Sequence, residues 1–432
     1  MTSTESKGYQ AFRDGVGLGS ASAFWTGPAR PLADRALLVT GHGNVGFAYD
    51  DHNVVMIDTG TPQLFGEWAV QELRRFSQAP IRVVVYTHGH IDHAFNLGPV
   101  LADAAQRGYP RPQVIAHRRI LARFARYQRL AGHTTYINRI NFGTPPDTPI
   151  VPEFHYPDTL IDAGLSMRVG DMTLELRTGL GETDDAVWLT IPERRLLFAG
   201  DFLLWCFPNI GNPFKVQRYT EGWAQALEEM AALDVEAAAP GHGPPVAGRA
   251  AVRDMLLETA RALRTLHDEV VRRLNAAQPF EQILAEVSLP AGLAARPYLA
   301  PIYGSPVYTV HALLREYAGW YDYNPTHLHP ASTREVAAEV VALCGAGPLL
   351  ERASALAAAD PQLALHLVDL VLDGGPDDLQ AQARALKAGL LDARAAQMDS
   401  FISYNILTLG AQALRASDSL SSGSLSPGAN RC

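Results

Sequence analysis

Four side chains able to hold a cation, His88, His90, Asp92 and His93, fall within six residues in the stretch "THGHIDH". A single histidine is usually an ordinary core or surface residue, but four donors at H-x-H-x-D-H spacing are not accounted for that way. On an extended backbone or tight loop, His88 and His90 can grip one cation while Asp92 and His93 point toward a second. Imidazole nitrogen and carboxylate oxygen at this spacing suit zinc, and iron or manganese would accept the same donors. Three later segments offer further ligands: Glu182 in "GLGETDDAVW", Asp201 in "FAGD" and His242 in "PGHG". Taken singly, Glu182 reads as a capping carboxylate, Asp201 as a turn residue and His242 as a loop histidine. Their succession behind H-x-H-x-D-H points instead to a two-metal site. The chemistry of such a site is hydrolysis, because paired cations bring the pKa of a bridging water from about 15.7 toward about 7 and make it a nucleophile near neutral pH.

Each of these segments has the form of a loop at the end of a strand. "RVVVY" runs straight into "THGHIDH", and "VGFAYD", "NVVMIDTG", "QVIAH", "MTLELRTG", "AVWLTIP" and "RRLLFAGD" are further strand signals, rich in β-branched and aromatic residues. "QLFGEWAVQELRRFS" places apolar residues at helical spacing between two of them. Hairpins mixed with strand-helix-strand units imply sheets covered by helices, an α/β architecture. From about Ala250 the chain changes to long Ala- and Leu-rich helical patterns, such as "REVAAEVVALCG" and "LLERASALAAADPQLALHLVDLVLDGG", punctuated by Gly and Asp-Pro. An ordinary helical bundle or dimerisation module explains these better than a peptide-binding solenoid.

With 432 residues the chain should form two or three domains. Its net charge of −9 and the lack of a basic stretch interleaved with aromatics argue against nucleic acid as a partner. "MTSTESKGYQAFRDG" lacks the basic start and apolar core of a secretory signal, and no stretch of eighteen apolar residues follows, so a cytoplasmic protein with no membrane span is expected. Three scattered cysteines, Cys206, Cys344 and Cys432, fit neither a disulfide framework nor a C-x-x-C zinc site.

"THGHIDH", "GLGETDDAVW", "FAGD" and "PGHG" resemble the successive metal motifs of the metallo-β-lactamase superfamily. The resemblance implies an αβ/βα sandwich with two zinc ions at the sheet edge, other divalent metals being possible. It places one ion on His88, His90 and Glu182 and the other on Asp92, His93 and His242, with Asp201 bridging. Asp92 and Asp201 would be catalytic. Most members carry histidine where this chain has Glu182, and glutamate there resembles the alkyl sulfatase branch. "YAGWYDYNPTHLHP" and the Ala-rich helices behind it are similar to that branch's dimerisation domain. Two departures mark a shorter branch: the best-known alkyl sulfatases have glutamate at the position of Asp201, and they add a lipid-carrier-like domain for which this chain leaves no room.

The resemblance thus implies a metallo-β-lactamase-like catalytic domain over 1–260, a helical dimerisation domain over 261–415 and a disordered tail over 416–432. The expected protein is a homodimeric hydrolase of alkyl sulfate esters, or of another anionic ester, thioester or phosphoester on the same site. A protein of another class, a metal-stabilised interaction module, would use one closed tetrahedral zinc site rather than two open ones. The loop "FLLWCFPNIGNPFKVQRYTEGW" supplies Asn209, Lys215 and Arg218 as candidate groups for a sulfate, which needs cations and amide donors, or as ordinary solvated loop residues. Trp205, Phe207 and Phe214 in the same loop either line an alkyl-chain channel or pack beneath it. Asp184 or Asp185 would orient a ligand or simply start a turn. Tyr303, His327 and His329 have no assigned role.

Overall fold

The computed structural model describes residues 27–143 and 153–422. Two compact units divide the chain. One runs to Trp320 apart from residues 138–144, and the other comprises 138–144 with everything from Tyr321 onward.

The first unit is built on two sheets. Seven strands lie in sequence order: β1 (Arg30–Ala33), β2 (Ala36–Val39), β3 (Val45–Tyr49), β4 (Val54–Ile57), β5 (Ile81–Val85), β6 (Gln113–His117) and β7 (Thr159–Ile161). The first four form an antiparallel meander, and β4 to β7 pair in parallel. The second sheet runs β13 (Val246–Ala247), β12 (Ala237–His242), β11 (Leu196–Leu204), β10 (Ala186–Ile191), β9 (Met172–Gly179) and β8 (Gly164–Val169). The expected strand segments all appear, and the apolar pattern explains their places. "VVMI" and "AVWLTI" are buried along their whole length, as strands covered on both faces must be, whereas β8 alternates toward solvent at its edge.

Three clusters give the layer order. Leu38, Val55, Val85 and Ile115 of one sheet meet Leu174, Leu189, Phe198 and Ala239 of the other between the sheets. Ala69, Leu73, Val100 and Phe124, on helices, cover the outer face of the first sheet. Trp223, Leu227, Leu256 and Leu263 cover the second. This is the αβ/βα sandwich expected. "QLFGEWAVQELRRFS" is interrupted: Gly66, at φ 46°, separates the helices Pro62–Phe65 and Trp68–Arg74.

The boundary expected at 260/261 is corrected. It falls inside one continuous 27-residue helix, Arg249–Asn275, whose apolar face lies on the core of the first unit. Ile283, Leu293, Leu299 and Leu313 join that same core, so the helical additions up to Trp320 complete the sandwich rather than start a new body.

The second unit is helical. Ser332 and Glu335 form a reciprocal capping box at the start of Thr333–Cys344, and Asp360 caps Pro361–Gly374 with proline in its first turn. Leu349, Leu350, Leu365, Val368, Val371 and Leu390 make its core. The final helix, Phe401–Ser422, covers the start of the expected tail, and residues 423–432 lie outside the described residues. Among the described residues no helix is long and apolar enough to cross a membrane.

Candidate metal centre

Strand β5 delivers "THGHIDH" to the sheet edge, and the backbone there splits the donors between two directions. His90 is extended, at φ −85° and ψ 159°, and caps the single turn Ile91–Ala94 that carries Asp92 and His93. His88 and His90 therefore project from a loop, and Asp92 and His93 from a helical turn. His88 Nε2 and His90 Nδ1 are 2.9 Å apart. Asp201 enters from β11 beyond a register irregularity that follows Phe198. Its Oδ1 lies 3.3 Å from His93 Nε2, and its Oδ2 lies 3.7 Å from His88 Nε2 and 3.4 Å from His242 Nε2. Asp92 Oδ2 is 3.5 Å from His93 Nε2 and 3.4 Å from His242 Nε2. Glu182 Oε1 completes the cluster 3.9 Å from His90 Nδ1.

These spacings fit metal binding. Donors at bond lengths of about 2.1 Å around a tetrahedral ion are separated by roughly 3.4 Å. Three trios of ligand atoms are close enough to hold an ion: His88, His93 and Asp201; Asp92, His93 and His242; and His90, Glu182 and Asp201. Among the described residues, His93 Nε2 and Asp201 Oδ1 are buried without a hydrogen-bond partner. An unsatisfied buried polar atom costs about 1–3 kcal/mol, a cost that a cation between them removes. Electrostatics agree. Burial opposes ionisation of Asp201 and Asp92, yet the neighbouring histidines hold both carboxyl groups well below the usual carboxylate range.

Asp58 was not singled out by its sequence, and it orders the centre. It sits at the end of β4 at φ 60°, a left-handed conformation that aspartate tolerates. Its Oδ1 accepts from Thr87 N at 2.7 Å, and its Oδ2 accepts from Thr87 Oγ1 at 2.7 Å and from His93 Nδ1 at 2.8 Å. Because the Thr87 hydroxyl gives its hydrogen to Asp58, it can only accept from His88 Nδ1, 3.1 Å away. Both rings thus carry a proton on Nδ1 and turn Nε2 into the site; burial opposes a charge on His93, yet Asp201, Asp92 and Asp58 hold its ring well above the usual histidine range, so a cation must displace its second proton. Unlike these two, His242 has a backbone amide at Nδ1, a long 3.3 Å contact from Gly43.

The clamp around Glu182 also differs from expectation. Arg218 and Asn209 do not lie on an open loop. Arg218 Nη1 donates to Glu182 Oε1 at 2.8 Å and to the Asn209 carbonyl, and Asn209 Nδ2 donates to the same Oε1 at 3.0 Å. Both residues are buried and hold a ligand candidate. Burial pushes the Glu182 carboxyl up to about 8, with Arg218 opposing and Asp201 adding to the rise. Lys215 is half-buried, and burial together with the Arg218 charge lowers its ammonium to about 8. Tyr303 lies within electrostatic reach: burial, then Glu182, hold its hydroxyl well above the usual tyrosine range.

Of the two carboxylates beside Glu182, Asp185 is the one turned inward. It is fully buried, accepts from Gly89 N at 3.0 Å through Oδ2, and accepts from Arg123 Nε at 2.7 Å through Oδ1. Asp184, more exposed, takes Arg123 Nη2 at 2.6 Å. Arg123 comes from the helix Ile120–Arg129 and was not predicted. Trp205 and Phe207 pack in the core, with Trp205 Nε1 donating to Pro244 O at 2.7 Å, so they line no channel. His327 is exposed and bonded to Asp322 in the second unit.

The sequence model described as metallo-beta-lactamase superfamily matches residues 38–242, and the one described as alkyl sulfatase dimerisation matches residues 280–417. The linear primary-alkylsulfatase of Pseudomonas sp. (strain ATCC 19151) is 25% identical over 314 residues, covering 68% of this chain and 59% of that protein. The (R)-specific secondary-alkylsulfatase of Pseudomonas sp. is 25% identical over 399 residues, covering 86% of this chain and 60% of that protein. The chain thus spans about 60% of the length of these curated relatives. A stereoselective inverting sec-alkylsulfatase from Pseudomonas sp. superposes with a TM-score of 0.78 at 22% identity over 91% of this chain and 66% of that one, a likeness of fold.

Proposed function

The chain belongs to the metallo-beta-lactamase superfamily and carries an alkyl sulfatase dimerisation segment, and from this premise we propose that it is a dinuclear-zinc hydrolase of alkyl sulfate esters, active as a homodimer. The observation that supports this most is the convergence of His88, His90, Asp92, His93, Glu182, Asp201 and His242 on one sheet edge, with His93 Nε2 and Asp201 Oδ1 buried there without a hydrogen-bond partner. In the proposal, His88, His90 and Glu182 would hold one ion and Asp92, His93 and His242 the other, with Asp201 available to either. When bound, such a pair of cations supplies a water acidic enough to attack near neutral pH and draws charge from the ester oxygen.

The chain's own groups do the rest. Asp58 and Thr87 keep His88 Nε2 and His93 Nε2 aimed inward. Asn209 and Arg218 fix the Glu182 carboxylate. Lys215, on the loop leaving β11, is the candidate cation for the sulfate group, and its partial burial strengthens the attraction.

The test is turnover by zinc-loaded protein on dodecyl sulfate, a phosphodiester, a thioester and a lactone, with sulfate release followed in the first. Sulfate release that disappears in Asp201→Asn supports the reading. Turnover of a carboxylic or phosphoric ester without sulfate release assigns another ester hydrolase to the same centre.

A further inference from the structure

The turn that carries Asp92 and His93 is too short to hold its own shape. Ile91–Ala94 is four residues long, with His93 N and Ala94 N both bonded to the His90 carbonyl, at 3.2 and 3.0 Å. Helix nucleation is unfavourable and the last carbonyls of a helix have no partner within it, so a single turn depends on contacts from outside. Ala94 and Phe95 anchor its apolar side in the core that covers the first sheet. Its polar anchor is Thr59 together with Asn96, both buried.

Thr59 follows Asp58 at the end of β4 and takes the His93 carbonyl twice. Its N donates at 2.7 Å and its Oγ1 at 2.9 Å. With its one hydrogen spent there, the hydroxyl accepts from Asn96 N at 3.0 Å. Asn96 closes the loop: its Nδ2 donates to Thr59 O at 3.2 Å and to Gly66 O at 2.9 Å. Both of these partners are carbonyls, so the position calls for an amide nitrogen with two hydrogens, and a carboxylate of the same shape does not serve. His93 is thus gripped at its ring by Asp58 and at its carbonyl by Thr59, two consecutive residues of one strand end. His88 and His90 lie ahead of the turn, and His88 takes its orientation from Thr87 instead.

We propose that Thr59 and Asn96 are positioning residues that set the aim of Asp92 and His93, and through them the affinity for the ion assigned to Asp92, His93 and His242. This rests on the dinuclear reading above.

The experiment titrates zinc(II) and cobalt(II) into full-length wild type, Asn96→Asp, Thr59→Val and Thr59→Ser. Chelator competition and elemental analysis separate the two binding steps, and His242→Ala marks the step that belongs to this ion. Asn96→Asp keeps the shape and sets a carboxylate against two carbonyls, Thr59→Val keeps the shape without the hydroxyl, and Thr59→Ser keeps the hydroxyl. Wild type should hold two ions per chain. Asn96→Asp and Thr59→Val should weaken the step that His242→Ala weakens by about 10- to 100-fold and leave the other close to its wild-type value. Thr59→Ser should stay close to wild type in both. The cobalt(II) d–d spectrum of the marked step should change in Asn96→Asp and Thr59→Val and not in Thr59→Ser, a readout that a merely structural role would not move. Folded Asn96→Asp and Thr59→Val with wild-type affinities and spectrum would overturn this inference alone, and so would equal losses at both steps. A wild type that binds fewer than two ions would overturn it together with the dinuclear reading. If Asn96→Asp does not fold, Thr59→Val set against Thr59→Ser decides, and no difference between those two also overturns the proposal.

Discussion

Arg218 Nη1 donates to Glu182 Oε1 at 2.8 Å, and both side chains are buried within a few per cent of full burial. Where a neutral histidine would bring no charge to a metal ion, glutamate brings a negative one, and Arg218 restores the balance. With Glu182 pushed up to about 8, its carboxyl holds a proton at neutral pH until a cation displaces it.

Zinc binding should therefore release a proton from Glu182 at pH 7, beside those held by the raised His93 and His242 rings, and the share from Glu182 should fade as pH rises past about 8. Calorimetry in buffers of different ionisation enthalpy reads the proton count. Glu182→Gln should lower that count at pH 7 by close to one and weaken the ion about tenfold or more.

Lys215 gives a pH dependence of its own. Its ammonium, lowered to about 8, is charged below that pH and neutral above it. If it holds the sulfate group, kcat/KM for an alkyl sulfate should fall as pH rises past 8, and Lys215→Arg should move the fall to higher pH. Lys215→Ala should lose roughly ten- to a hundredfold on the sulfate and little on a neutral ester, since a charge-assisted contact is worth about 1.5–3 kcal/mol. Equal losses on both substrates would point to a disturbed metal site.

The Arg123–Asp185 pair ties the Glu182 loop to the H-x-H loop. Removing the cation strands a buried carboxylate, so Arg123→Met should destabilise the first unit by about 3–5 kcal/mol. Gly89→Ala should injure the same clamp, because its Cβ would stand 2.8 Å from Arg123 Cδ and Ile120 Cγ1. Denaturant unfolding and zinc content measure both, and wild-type values for either would remove Asp185 from a positioning role.

Truncation tests the division of the chain. The intact protein should scatter light as a dimer at micromolar concentration. Ending the chain after Trp320 should leave a monomer that still binds zinc, whereas ending it after Leu266 cuts the helix Arg249–Asn275 and strips Ile283, Leu293, Leu299 and Leu313 from the core, leaving an aggregating remainder.

The strands and the donor cluster were legible because both are local: "RVVVYTHGHIDH" states a buried strand and its ligands in one line. The residues that arrange those donors were not. Asp58, Thr87 and Arg123 are ordinary residue types in their own segments, and their roles exist only once the ends of β4 and β5 and the helix Ile120–Arg129 lie side by side. Arg218 and Asn209 were left open for the converse reason. A polar loop reads as solvated, and nothing local reveals that it folds inward onto Glu182. The domain boundary failed because Ala/Leu-rich texture marks helices without saying which core they join.

One carboxylate, Asp58, sets the proton on two rings that face different neighbours, His88 through Thr87 and His93 by its own oxygen. The aim of the two rings is then correlated, and a chain whose Asp58 is turned aside loses both together. A single change at a residue that touches no ion, Asp58→Asn, should therefore loosen both positions at once, where loss of any one donor loosens chiefly its own.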